Sequence, residues 1–295
     1  LNKIIDLQPK LNLKINYDEI RIENTNHCGY KCYFCPREEL TRKKGFMPIE
    51  DLELIINRIE YYSGSVDLHG FGEPLLDTEL PQKVKLIKSR WPQSKTRIIS
   101  TLGLSLSDHF FKQIVDSGLD TLEVSFYGVD KETYKQSHGV DKFELVRSNL
   151  TLISNLIKES NTSLEIVIRD LPIIGSDNKA RKEIDNWLSS LGVSRVSMHN
   201  MHNYGGGRDY NPPPKDGLCS VVWGYRKRIL QITWDLNIIP CCFDSNSTIV
   251  FGSLRESSLS NIFQSDAYLE FIAAHNNNDL QQYPVCEKCE RCFKP

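Results

Sequence analysis

The sequence predicts an α/β protein, a partial (β/α)6, TIM-like barrel followed by a small C-terminal α+β unit. Three observations predict it. Between about residues 20 and 200, six short β-patterned runs alternate with longer helical ones; βα units in series imply a parallel sheet with right-handed crossovers. The strand runs alternate in polarity, so one face suits helices and the other a polar interior. Finally a Gly- and Pro-rich break, "NYGGGRDYNPPPKDG" (203–217), precedes a tail carrying six of the nine cysteines. The organisation that follows is an N-terminal extension over 1–18, a core over 19–204, a linker over 205–217 and a cysteine-bearing unit over 218–295.

The strands are expected at "EIRIEN" (19–24), "SVDLHG" (65–70), "TRIIST" (96–101), "TLEVSF" (121–126), "LEIVIR" (164–169) and "RVSMHN" (195–200). Helices are expected over 48–62, 78–90, 107–117, 143–160 and 177–191. The first has apolar residues at i, i+3 and i+4, with Pro48 suited to its first turn. In 121–127, Leu122, Val124 and Phe126 share the helix-facing parity, leaving Glu123, Ser125 and Tyr127 opposite. In 164–169, Leu164, Ile166 and Ile168 oppose Glu165, Val167 and Arg169; Asp67 and His69 likewise oppose Val66 and Leu68. An interior this polar suits a reaction chamber; an open sheet with one solvated face has the same parity. In the tail, "RILQITWDLNIIPCC" (228–242) reads as a hairpin turning near 235–237. There is no internal repeat.

Of the residues, 40% are hydrophobic and 25% charged, with a formal net charge of −2, so there is no electrostatic footprint for nucleic acid or an anionic membrane. The short basic run "TRKK" (41–44) reads as a solvated loop. No segment approaches the ~18 consecutive apolar residues of a membrane span. The N-terminus lacks the apolar core and cleavage site of a signal peptide. A soluble, cytoplasmic protein is expected. The sequence begins with Leu rather than Met, which leaves room for residues ahead of it.

Nine cysteines without a secretion signal argue against a disulfide framework. Three fall in "HCGYKCYFCP" (27–36), none between Cys35 and Cys219, and six thereafter, a layout that suits two metal sites. Thiolates are soft ligands for zinc, copper(I) or iron–sulfur clusters. Structural zinc wants four ligands, usually as two separated pairs. Three close cysteines fit that poorly, even with His27 beside Cys28. A cubane held by three thiolates keeps one iron open.

C-x3-C-x2-C after a first strand, with Phe34 before the third cysteine, resembles the radical S-adenosylmethionine (SAM) superfamily. The similarity continues in "HGFGEPLL" (69–76), whose Gly72-Glu73-Pro74 matches the family's "GEP" segment that receives the SAM amino group. In "ISTLG" (99–103), Leu102 replaces the Asn of the family's "TNG", so no side-chain role carries over there. "VSFYGVDKETYKQSHG" (124–139) resembles the segment in which Ser125 would face SAM. The resemblance implies that Cys28, Cys32 and Cys35 hold a 4Fe–4S cluster whose fourth iron SAM chelates. Phe34 would then stack near the adenine. Reductive cleavage of SAM, fed by a flavodoxin- or ferredoxin-type donor, would yield a 5′-deoxyadenosyl radical that abstracts hydrogen from a substrate C–H bond.

Beside such a barrel, the tail looks like the auxiliary-cluster domains called SPASM or twitch. "DLNIIPCC" is similar to their hairpin, although Leu236 stands where Gly is usual. A full two-cluster SPASM domain needs more cysteines, so one auxiliary 4Fe–4S cluster is implied, held by Cys219, Cys241, Cys286 and Cys289, with Cys292 as a substitute for Cys289. Adjacent side chains diverge, so one of Cys241 and Cys242 is not a ligand, which one staying open; the free one, taken as Cys242, is either a buried apolar residue or a thiol that donates hydrogen to a substrate radical. A closed auxiliary cluster suits an electron acceptor, as in short twitch-bearing dehydrogenases of sugars and aminocyclitols. The short segment ahead of the barrel, too small to bury a core of its own, points the same way. Peptide maturation, including epimerisation through Cys242, is the alternative, and a zinc-stabilised binding module the non-enzyme one. Arg169, Tyr127, His199 and His202 are the candidates for holding a small-molecule or peptide substrate. Arg169 leads, as an interior cation without a sequence-evident partner.

Overall fold

The structure, a computed structural model, describes residues 17–171, 178–193, 195–199, 201–209, 218, 219, 222, 228–290, 292 and 293. The N-terminal extension up to residue 16 and linker residues 210–217 lie outside the described residues.

Six parallel strands form the wall: β1 (Glu19–Ile22), β2 (Ser65–Leu68), β3 (Lys95–Ser100), β4 (Thr121–Ser125), β5 (Glu165–Asp170) and β6 (Arg195–Met198). Between them run α1 (Ile49–Ile59), α2 (Leu80–Arg90), α3 (Asp108–Val115), α4 (Lys131–His138), α5 (Phe143–Ser160) and α6 (Asn178–Ser190). The apolar parity packs outward as expected. Ile20, Ile22, Val66, Ile98, Leu122 and Val124 are buried with Leu52, Ile55, Val84, Ile87, Phe111 and Leu150 of the helices. Each such side chain contributes about 1.5–3 kcal/mol relative to exposure. β1 ends at Ile22, short of Asn24, and beyond it side chains tie the chain to the segment before α1: Thr25 Oγ1 donates to Gly45 O (2.8 Å) and Asn26 Nδ2 to Lys43 O (2.9 Å).

Two features depart from the sequence reading. α4 was not expected, because its sequence, "KETYKQSH", has no apolar stripe. Its ends hold it instead: Asp130 and Thr133 form a capping box, and Gly139 closes it in the left-handed conformation (φ 69°). The tail hairpin also does not stand apart. β7 (Leu218–Cys219) pairs with β11 (Cys292–Phe293) in a separate ladder, but β8 (Ile229–Ile232) runs parallel to β1. With β9 (Asn237–Ile239) and β10 (Gly252–Ser253) it extends the wall to nine strands, ordered β10-β9-β8-β1-β2-β3-β4-β5-β6. β8 thereby covers what would otherwise be the open edge of β1. The tail also carries α7 (Leu259–Ile262), α8 (Asp266–Asn276) and α9 (Pro284–Glu287).

Leu236, at the turn between β8 and β9, adopts φ 70°, and Leu102 after β3 adopts φ 57°. A Leu there costs about 1–2 kcal/mol, yet both side chains are fully buried, and the burial outweighs the strain.

The basic run is only partly solvated. Arg42 turns inward and forks onto Glu23, with both N–O distances at 2.6 Å. Glu23 in turn accepts the Phe71 N–H (3.2 Å), so this pair braces the segment after β2. Among the described residues, no helix is long and apolar enough to cross a membrane.

Candidate functional site

The C-terminal ends of β1–β4 surround a cavity lined by Cys28, Cys32, Cys35 and Phe34 on one side. Across it stand His69, Gly72, Glu73, Ser100, Thr101, Ser125, Tyr127 and His138. The loop that bears the three thiols is gripped closely. Glu73 N–H donates to His27 O (2.8 Å) and Lys31 N–H to His138 O (3.1 Å). Gly72 is required there, because a Cβ on it would sit 2.2 Å from Thr25 O. The Tyr30 N–H donates to Cys28 Sγ (3.5 Å). Burial pushes the Cys28 thiol up to about 11 and also raises Cys32 and Cys35, so loading a metal there must release protons.

Glu73 is 1% exposed, and its carboxylate accepts from Leu75 N–H, Ser100 Oγ, Thr101 N–H and Thr101 Oγ1 at 2.6–3.2 Å. Burial raises its pKa while these donors pull against the shift. Pro74 is buried outside the cavity lining and begins the 3-10 turn Pro74–Leu76. It shapes the segment. Its carbonyl is held by Asn24 Nδ2 (3.2 Å), and Asn24 also reaches Asp77 (3.1 Å), which pairs with the fully buried Lys83 at 2.7 Å. Tyr127 stacks on His138 (5.0 Å), meets Phe34 edge-on (5.1 Å) and donates to Ser125 Oγ (3.2 Å).

Deeper in the barrel the interior is a ladder of alternating charge. Arg97 bridges Asp67 and Glu123, the latter at 3.1 Å, and Arg21 pairs with Glu19. This corrects the argument for Arg169. It is not an unpaired cation, because its Nη1 meets Glu123 at 3.2 Å and its Nη2 donates to His199 Nδ1 at 3.2 Å. It also lies outside the cavity lining. Burial and Arg169 hold the His199 pKa down at about 4. His202 pairs with Glu290 (2.5 Å) and faces the C-terminal loop.

The second cysteine centre assembles from distant segments. The Cys241 thiol is raised by burial and by neighbouring Cys242, Cys219 and Cys289; Cys286 is raised by burial and by Cys241, Cys219 and Cys289. Cys241 Sγ accepts the Phe243 N–H (3.4 Å) and Cys219 Sγ the Val222 N–H (3.4 Å). Cys242 is half-buried and lies within electrostatic reach of Arg21 and Tyr204. The β7–β11 register sets Cys292 opposite Cys219; the Cys292 side chain lies outside the described residues.

Residues 202–208 tie the two centres together, a role that sequence reading missed. Asn203 donates to Lys288 O (2.8 Å) and its N–H to Glu290 (2.8 Å), while Arg208 donates to Cys35 O (2.7 Å). Between these holds Tyr204 adopts φ 48° and packs against Phe71, His202 and Phe243.

Among the described residues, no group of three or more His, Cys, Asp or Glu side chains is placed to hold a single metal ion. A polynuclear cluster gives each thiolate its own iron, so its ligands need to share a cavity rather than a point. Both soft donor sets fit such clusters.

A family model described as the Radical SAM superfamily matches residues 22–172, and one described as an iron–sulfur cluster-binding domain, SPASM, matches residues 219–292. The probable GTP 3′,8-cyclase of Sulfurisphaera tokodaii is 29% identical over 195 residues, which is 65% of this chain and 58% of that protein. The probable GTP 3′,8-cyclase of Methanococcus maripaludis is 28% identical over 160 residues, 52% of each chain. The chain thus spans a little over half the length of these relatives. Among solved structures, BtrN in complex with AdoMet and 2-DOIA has a TM-score of 0.61 at 18% identity and covers 92% of both chains. SuiB of Streptococcus suis bound to precursor peptide SuiA has a TM-score of 0.65 at 14% identity, covering 87% of this chain and 67% of SuiB. Native anSMEcpe with bound AdoMet has a TM-score of 0.60 at 18% identity, covering 93% and 89%. At these identities the likeness is one of fold.

Proposed function

The chain belongs to the radical SAM superfamily, and from that premise we propose that it oxidises an alcohol carbon of a sugar- or aminocyclitol-type substrate to a ketone. The superfamily's 4Fe–4S cluster and SAM supply a 5′-deoxyadenosyl radical that takes a hydrogen atom from a C–H bond, and the SPASM domain supplies an auxiliary iron–sulfur cluster. Cys28, Cys32 and Cys35 are the ligands assigned to the first cluster. Glu73 and the backbone around Gly72 hold the amino end of SAM, with Ser125, Tyr127 and Phe34 enclosing the rest. Pro74 keeps the Gly72–Glu73 turn in shape. A flavodoxin- or ferredoxin-type donor is the expected source of the priming electron.

What supports this reaction type is the gathering of cysteines at the second centre. Cys219, Cys241, Cys286 and Cys289 lie within electrostatic reach of one another, and with these four as ligands protein would fill the coordination of an auxiliary cluster and leave no position for substrate. Such a centre suits an electron acceptor. The balance would then be simple: the alcohol carbon would give up a hydrogen atom, its hydroxyl a proton to solvent, and the auxiliary cluster would take the remaining electron.

The presence of a second, adjacent cysteine, Cys242, within electrostatic reach of Arg21 supports a second reading, in which its thiol quenches a peptide radical and the product is an epimer. Incubation with SAM, dithionite and aminocyclitols or precursor peptides in deuterated water separates the two. A ketone formed with 5′-deoxyadenosine supports oxidation. Solvent deuterium at the substrate carbon, lost in Cys242→Ala, would sink it in favour of epimerisation.

A further inference from the structure

We propose that His138 is a positioning residue for the first cluster, donating its Nδ1–H to the sulfur of Cys32 and thereby raising the potential at which that cluster is reduced. The inference is independent of the substrate and rests on Cys32 as a cluster ligand.

His138 sits at the last position of α4 and is completely buried. Both ring nitrogens are engaged. The Tyr127 backbone N–H points at Nε2 (3.2 Å), and Nδ1 stands 3.5 Å from Cys32 Sγ. A backbone amide only donates, so Nε2 must present its lone pair, and the ring proton belongs on Nδ1, facing the sulfur. An iron-bound cysteine is a thiolate acceptor, so the contact persists on loading and becomes charge-assisted.

The ring cannot turn away. It is stacked between Tyr134 (4.2 Å) and Tyr127 (5.0 Å), with Tyr30 against its edge (5.5 Å). The helix end is docked on the same loop through Lys31 N–H to His138 O (3.1 Å). At Gly139, a Cβ would lie 2.4 Å from Lys31 O, so nothing larger allows this approach. Hydrogen bonds to cluster sulfurs withdraw electron density and stabilise the reduced state. Cys28 receives a backbone donor from its own loop, whereas the Cys32 donor is a side chain from another element, which can be exchanged without altering the loop.

The test is an EPR-monitored redox titration of the reconstituted full chain. Gln places its amide near Nε2 and keeps only the Tyr127 contact; Asn places its amide near Nδ1 and keeps only the sulfur contact. His138→Gln is expected to reduce the reduced-to-oxidised ratio at fixed potential about tenfold, equivalent to about 59 mV for a one-electron couple. His138→Asn is expected to stay close to the parent. A His138→Gln chain with full iron content and the parent's potential would overturn the proposal. If that variant fails to load, ¹⁵N NMR of the histidines in the parent apo chain decides: an Nδ1-protonated His138 supports it and an Nε2-protonated one overturns it. A Cys32→Ala chain that keeps its cluster overturns the ligand assignment and this inference with it. Iron loss in that chain beside an unmoved His138→Gln potential overturns this inference alone.

Discussion

The two cysteine centres are built in opposite ways. Cys28, Cys32 and Cys35 lie on one short loop, and the fold's task is to press that loop against β2, β4 and α4 while leaving one side facing a cavity. Cys219, Cys241, Cys286 and Cys289 come from a short strand, a hairpin end and the C-terminal turn, and meet only after the whole tail has folded. The first centre is local in sequence and faces a cavity; the second is dispersed in sequence and, with the proposed four ligands, would be closed. An open site suits a cosubstrate, and a closed one suits electron storage. The cost of assembly also falls differently, since dispersed ligands depend on long-range closure.

The largest expected contrast follows directly. Cys28→Ala or Cys32→Ala is expected to abolish SAM cleavage, read as 5′-deoxyadenosine by chromatography. Cys241→Ala should retain cleavage while losing ketone formation. Equal loss of cleavage in both would erase the distinction between the centres. Asn203→Ala removes bonds to Lys288 O, Glu290 N–H and Gly205 N–H. It should cost about 1–3 kcal/mol in urea unfolding and lower auxiliary iron before it affects the first cluster. Leu236→Gly relieves about 1–2 kcal/mol of backbone strain but forfeits about 1.5–3 kcal/mol of burial, a net loss of about 1 kcal/mol confined to the second region. The last contrast is the effect of pH on the barrel interior. The folded pKa of His199 lies near 4, below its ordinary 6.5, so the unfolded chain takes up the proton first. Stability of the apo chain should therefore be full above pH 6.5 and decline as pH falls toward 4. His199→Asn should flatten that decline in urea midpoints.

The same contrast explains what could be read in advance. The first centre was legible because its spacing is local and its loop follows a strand with clear parity. The strand faces were legible too, since Leu122 and Val124 alternate with Glu123. Partners across strands were not. Parity put Glu123 and Arg169 on one face of neighbouring strands, which is the signal that pairs them, but a charge read alone looks unpaired. α4 escaped notice because its stability lies in Asp130, Thr133 and Gly139 at its ends rather than in an apolar stripe. His138 went unremarked for the same reason. The joining of β8 to β1 has no local signature at all, because a parallel pairing between residues 19 and 229 leaves no turn to recognise.

That pairing has a kinetic consequence. Domains linked by a loop move relative to one another by default, and a reaction spanning them waits for closure. Here the hairpin leading to Cys241 shares a hydrogen-bonded ladder, Glu19↔Ile229 through Ile22↔Ile232, with the strand leading to Cys28. The two cysteine-bearing segments are therefore joined through one hydrogen-bonded ladder. Transfer of a substrate electron to the auxiliary cluster would then wait on no domain closure, and its rate would be indifferent to solvent viscosity.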